Sequence, residues 1–367
     1  MVAFELKVFL PTVLYIFLLS FSSIATGLSM PSNKNYQYKA SEGAPKNYPM
    51  QIISGSLNYY DNSGSLAVPK MTKVSNGWGN WRSSHVSRDE EMPLPNKLSL
   101  IYFSYMEDQF FKGEFDLPIE KIQALFDAGY YSLNQEENVT FDKFIVGMAP
   151  GGYVTVWVSG FDKTIEVFSG YAEKIDGDWS WVYDGDELSR EAYLKMVIDE
   201  KLSSINDVAA FRAEDIPLGR WENYSNRRYH WEPVLNNIKI RDDLINIIHF
   251  YNGEKDYLNV PLGDFHKGKT LAVPDSMDIT WNRTGYLVND LTIEVFFDEN
   301  EIFSVFDALG KNNAPLKLEL KMETEKNNNF TIWLHNQKAK VELKKFKMKT
   351  WKPGGIRYSE AGPEDTE

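Results

Sequence analysis

PNKLSLIYFSYMEDQFFKGEFDLPIEKIQALFDAG, residues 95–129, is the stretch whose reading decides the fold. Leu98 to Met106 and Gln109 to Leu117 are rich in aromatic and branched residues and flank Glu107-Asp108, which reads as a hairpin. Asp116 is placed to cap a short helix that Pro118 can open and Gly129 can close. Ile119, Ile122, Leu125 and Phe126 sit there at helical spacing. Strands at Lys143 to Met148, Tyr153 to Ser159 and Lys163 to Phe168 follow, the first two joined by the turn Ala149-Pro150-Gly151-Gly152. The order then returns. Pro274, Met277, Ile279 and Trp281 answer Pro95, Leu98, Leu100 and Tyr102, and Ile302 to Gly310 answers Ile122 to Gly129. Ile332, Trp333 and Leu334 answer Val156, Trp157 and Val158, at a spacing of about 180 residues throughout. A period of that size is a domain-sized copy and not a solenoid repeat.

The expected fold is therefore α+β: two tandem related units, each an antiparallel sheet with one short covering helix. The expected boundaries are a signal peptide over 1–25, a flexible tether over 26–50 and a first α+β unit over 51–215. A second unit with its linking segment covers 216–352, and a disordered tail 353–367. A helix over Ser189 to Ile205, with Leu194, Val197, Ile198, Leu202 and Ile205 on one stripe, falls between the copies. A hairpin around Asn252-Gly253 opens the second.

A chain of 367 residues that is 43% hydrophobic can bury a large core. Its 39 basic and 52 acidic residues leave a net charge of -13, which argues against nucleic acid as a partner. Lys7, the apolar run Val8 to Leu19 and the small residues Ser23 and Ala25 give residues 1–25 the pattern of a cleaved secretory signal, which implies the periplasm or envelope of a Gram-negative bacterium. The absence of cysteine fits a periplasmic chain. It excludes a thiol nucleophile and a lipidated N-terminal cysteine.

Several attractive motifs dissolve on inspection. Gly263 to Thr270 matches the phosphate-loop pattern, but Leu271-Ala272-Val273 reads as extended and Pro274 follows at once, so no helix can receive the phosphates. Nucleotide is excluded on that ground, and no cofactor is expected. Asp176, Asp178, Asp184, Asp186 and Glu187 surround Trp179 and Trp181, but Trp181 stands where a calcium loop needs glycine, and a solvated strand-turn-strand is expected. The five histidines have no metal-binding spacing, and no nucleophile elbow is present, so no enzyme activity is expected.

Three clusters remain as candidate binding residues. Gly64 to Pro69 echoes Gly268 to Pro274, so Lys70 to Leu94 is an insertion that only the first copy carries. Its Trp78, Trp81 and Arg82 are residue types that dominate recognition surfaces, although tryptophans in such a loop can equally fold back onto a core. Pro150, Gly151 and Gly152 form a turn absent from the second copy. Trp221, Tyr224, Arg227, Arg228, Tyr229 and Trp231 could hold an anionic or sugar ligand through cation-π and forked hydrogen bonds. The competing reading is a clamp of the linker onto a sheet, with the arginines paired to Glu214, Asp215 or Glu222, and the residues favour it.

Ser75 to Pro233 resembles the bacterial family known as domain of unknown function 2931. The resemblance rests on Trp78-Gly79, Pro95, Glu107, Phe110, Leu117-Pro118 and above all Val146-Gly147-Met148-Ala149-Pro150-Gly151-Gly152 leading to Val156-Trp157. Trp221, Tyr224, Arg228, Tyr229 and Trp231 are similar to its closing motif. The second copy is a degenerate relative lacking both motifs. The resemblance implies an exported, often lipidated protein with no established activity, similar to accessory or immunity proteins encoded near secretion systems. The expected function is thus a non-catalytic periplasmic binding protein. Its partner is a protein, such as a basic toxin or effector that an acidic surface would suit, and the alternative is an envelope glycan stacked on Trp78, Trp81, Trp179 and Trp181. A hydrolase is the third reading.

Overall fold

The computed structural model describes residues 34–86, 91–132, 135–206, 208–213, 215–238, 246–258, 270–282, 290–324, 329–352 and 356–361. The signal segment 1–25 and the Gly263 to Lys269 motif lie outside these residues. The described fold is mixed α and β, with sheets dominating.

The hairpin at its centre forms as the sequence dictates. Strands Pro95–Ser104 and Gln109–Asp116 pair in antiparallel register, Leu98 with Phe115 and Tyr102 with Phe111. Helix Ile119–Ala128 follows and buries Ile122 and Phe126, the apolar stripe that defined it. Gly129 closes it with a positive φ of 58°, a conformation that side-chain-bearing residues avoid. Asp116 does not cap it, because it ends the strand and Pro118 stands at the cap with no side-chain bond. In the second half Asp298 does cap helix Glu299–Leu309, accepting from the Glu301 amide. Ser189 caps helix Arg190–Lys201 in the same way. That helix lays Tyr193, Val197 and Ile198 over Phe103 and Phe110, on a face of the hairpin sheet away from the main core.

Two sets of strands share one order of pairing. Strand Lys39–Gly43 runs parallel to Lys143–Met148, which pairs antiparallel with Tyr153–Ser159, and that strand with Thr164–Tyr171. Likewise Trp231–Asn236 runs parallel to Leu316–Thr324, which pairs with Asn329–His335, and that strand with Lys340–Leu343. Met50–Tyr59 pairs with the Pro95 strand as Ile247–Phe250 pairs with Pro274–Asn282.

These halves are not separate bodies. Strand Lys255–Tyr257 bonds to Thr164–Tyr171, fusing one sheet from each half into a single sheet of eleven strands. Asn33–Glu367 clusters as one compact unit, which runs across the expected boundary between residues 215 and 216. The expected tether over 26–50 also needs correction over its described part. Tyr36, Tyr38 and Ala40 alternate with polar residues and are buried, and strand Lys39–Gly43, which holds Ala40, lies inside the large sheet. A period of two in a polar segment is a strand signal that composition hides. The tail is corrected as well, since Ile356–Ala361 pairs with Phe346–Lys352 at the other end of that sheet. No helix among the described residues is long and apolar enough to cross a membrane.

Candidate functional site

The insertion divides its two tryptophans. Asn76 Nδ2 donates to Asn80 O (2.7 Å), the Gly77 amide to Ala44 O (3.0 Å), the Arg82 amide to Glu42 O (3.0 Å) and Ser83 Oγ to Glu42 Oε1 (2.6 Å). The first ties the loop to itself, and the other three rivet it to Glu42 and Ala44, in and just after strand Lys39–Gly43. Gly79 has a positive φ and rests so close to Gly253 that a Cβ would overlap its carbonyl. Trp78 consequently turns inward, edge-on to Trp157 at 4.8 Å and within 6.2 Å of Tyr153 and Trp221. Trp81 turns outward and stays 49% exposed, with the Lys143 ammonium 4.4 Å from its ring centroid.

The aromatic and basic cluster around residue 221 is largely internal. Helix Arg220–Asn226 sits against the sheets, with Trp221 packed edge-on to Tyr48 and Tyr224 stacked on Phe303. Trp231 is buried against Phe306, its Nε1 donating to Ala272 O. Arg228 pairs with Glu254 (2.9 Å), Arg227 lies 3.4 Å from Asp307, and Tyr229 Oη donates to the same Asp307. The carboxylates that meet Arg227 and Arg228 are Asp307 and Glu254 in place of Asp215 and Glu222, and Glu214 lies outside the described residues. Pro150–Gly152 is a single 3-10 turn whose Gly151 amide donates to Glu107 Oε1 (3.0 Å). It packs beneath Leu218, which is 63% exposed, and beside Tyr171.

Under this helix lies a polar centre that sequence reasoning missed. Ser225 Oγ (2.9 Å) and Asn252 Nδ2 (3.0 Å) both donate to Glu166 Oε2, and the Glu166 amide donates to Glu254 Oε1 (3.1 Å). Burial, and then the Glu254 charge, push the Glu166 carboxyl up to about 7. Tyr153 Oη and Thr155 Oγ1, on the adjacent strand, are buried without a partner among the described residues.

A second missed feature runs across the end of the large sheet. Lys39 pairs with Lys143, Lys143 with Ser159, Ser159 with Thr164, and Thr164 with Lys255, which places these residues in one row. Lys143 is only 8% exposed. Burial lowers its ammonium, Asp142 partly restores it, and Lys39 lowers it further. Burial and then Lys143 lower Lys255 in the same way, against a smaller rise from Asp162. None of Lys39, Arg82, Lys143 and Lys255 makes an ion pair among the described residues, although nearby Lys163 closes one with Asp256 at 2.8 Å.

Between helices 220–226 and 299–309 opens a cleft of about 360 Å³. Arg220 is locked in it by a forked pair to Glu299 (3.0 and 2.7 Å), while Asn223, Asn300 and Ser304 line it with side chains free of partners among the described residues. In the acidic stretch Asp178 caps the 3-10 turn Trp179–Trp181, where a strand-turn-strand was expected. Trp179 is covered by the Arg190 guanidinium at 4.8 Å, and no group of three metal-ligating residues occurs among the described residues.

A model of the family described as protein of unknown function (DUF2931) matches residues 25–219, just over half of the chain. No curated protein and no solved structure matches.

Proposed function

This chain belongs to the DUF2931 family, and we propose that it is a non-catalytic binding protein of the bacterial envelope, exported by residues 1–25. Its partner is another protein, in the manner of an immunity or accessory protein of a secretion-system effector. The observation that carries the reading is Trp81, a large exposed aromatic next to Arg82 on a loop held by four hydrogen bonds, to Glu42, to Ala44 and to itself. A side chain fixed before binding loses little entropy on contact, and Trp and Arg are the types that anchor interfaces. The matched pairings also support a second, degenerate copy of the family unit in the C-terminal half.

The experiment is co-purification with the protein encoded beside it. Replacing Trp81 and Arg82 together by alanine weakens retention by at least about tenfold and leaves the melting temperature unchanged. Undiminished retention by that variant overturns the reading. An envelope glycan is the second reading, favoured by the free amide and hydroxyl groups of the cleft at Arg220. Retention on purified peptidoglycan that Asn223→Ala and Ser304→Ala abolish supports it. Equal retention by the variants removes it.

A further inference from the structure

The described cationic residues near Trp81 run against the charge of the molecule, and this decides what kind of partner surface can sit there. Overall the chain carries -13, which alone suggests a basic partner. Around Trp81, however, Lys39, Arg82, Lys143 and Lys255 gather without one ion pair among the described residues. In the same fold Arg220, Arg228 and Lys163 each find a carboxylate within 3 Å. Lys143 is the decisive member. The residue is 8% exposed and its ammonium has no hydrogen-bonded partner among the described residues, so partial burial costs it desolvation, and the cation-π contact with Trp81 offsets only a part of that. Its neighbours in the row make matters worse, because Lys39 stands directly beside it in register and Lys255 lies three strands away on the same line.

Among the described residues the carboxylates close by cancel only a part of this. Glu42, which feels Arg82, is fully buried and is used by Ser83 to hold the loop. Asp162 is buried at 1% exposure beside Ser132, and Asp142 forms no ion pair with Lys143. An external anion would therefore relieve a repulsion already present in the free protein, and it would do so where a tryptophan supplies apolar contact area.

We infer that the row Lys39, Lys143 and Lys255, with Trp81 and Arg82 at its edge, is a docking face for an acidic segment of the partner protein. The ligand chemistry is a cluster of carboxylates spaced along an extended chain, because the lysines lie in a line across strands and do not converge on one point. This rests on the reading of the chain as a protein-binding module and names the partner surface. The global negative charge then acts as a filter, repelling acidic proteins that do not present their carboxylates to this edge.

The test uses the full mature chain and hexaglutamate as probe, followed by the indole N–H resonance of Trp81. A saturable shift is expected with hexaglutamate and none with hexalysine. Affinity should fall by about tenfold in Lys143→Met, and also as salt is raised from about 0.05 to 0.3 M. Methionine keeps the stem of Lys143 and removes its buried charge, so folding is preserved and is checked by an unchanged or higher melting temperature. No saturable shift, an equal shift in Lys143→Met, or equally tight binding of inorganic phosphate overturns the inference, the last because it marks a point-anion site. If hexaglutamate binds as expected while the Trp81/Arg82 variant still retains its partner, the partner reading fails and the acidic-ligand face stands. The reverse pair of results sinks this inference alone.

Discussion

Glu166 ties three separate segments together through one carboxyl: its own strand, Ser225 on helix Arg220–Asn226, and Asn252 in the turn before Lys255–Tyr257. Its folded pKa is raised from 4.5 to about 7, so between those two values the folded state holds a proton that the unfolded chain has released. Stability from this group is therefore present below about pH 4.5 and is lost as pH rises through about 7. Glu166→Gln mimics the protonated form and removes that dependence. Urea unfolding should find wild type and variant alike near pH 4, and the variant more stable by at least about 1 kcal/mol near pH 8. Parallel pH profiles for the two proteins would show that Glu166 does not titrate in this window. Gly79 is the other residue on which the site depends. With φ of +75° and the Gly253 backbone against its Cα, Gly79→Ala should lower stability by about 2 kcal/mol or more and release the Trp81 loop, read as a fall in melting temperature. Neither role is legible in the sequence, since Glu166 reads as an outward strand residue and its partners lie 59 and 86 positions away.

Elements were far more legible than the contacts between them, and the helix caps show where the line falls. Ser189 and Asp298 carry the local pattern of a capping residue and do cap, because an N-cap needs only the first turn of its own helix. Asp116 carries the same residue type before a helix of the same kind, yet the chain uses it to finish a strand opposite Lys97 and leaves Pro118 at the cap. Tertiary pairing overrode the local preference. Asp298→Ala should therefore cost about 1 kcal/mol, Ser189→Ala a similar amount, and Asp116→Ala close to nothing. Chemical denaturation midpoints distinguish the three. A loss at Asp116 equal to that at Asp298 would mean that the first helix is capped after all. The lysine row escaped sequence reasoning for the same reason as the Asp116 role. Lys39, Lys143 and Lys255 become neighbours only through strand register, and no spacing along the chain encodes it.

At the scale of the whole molecule, the family match ends at residue 219, while the structure places the partners of that segment beyond it. Trp157 Nε1 donates to Asn252 O, Trp78 and Tyr48 pack on Trp221, and the Thr164–Tyr171 strand finds its outer neighbour in Lys255–Tyr257. A chain ending at residue 219 would keep its hairpin and its helix Ile119–Ala128. It would also expose a sheet edge, the faces of Trp78 and Tyr48, and a Glu166 stripped of both side-chain donors. An uncovered strand edge beside exposed aromatics is a template for association. Residues 34–219 alone should therefore be strand-rich by circular dichroism but elute as oligomers from size exclusion, with a denaturation midpoint well below that of the full chain. Adding residues 220–258 supplies helix Arg220–Asn226, Asn252 and the capping strand together, and should recover most of the lost stability. If the shorter chain instead elutes as a monomer as stable as the whole, the edge-to-edge fusion of the two halves is a contact of convenience. The family unit would then fold independently of the half that follows it.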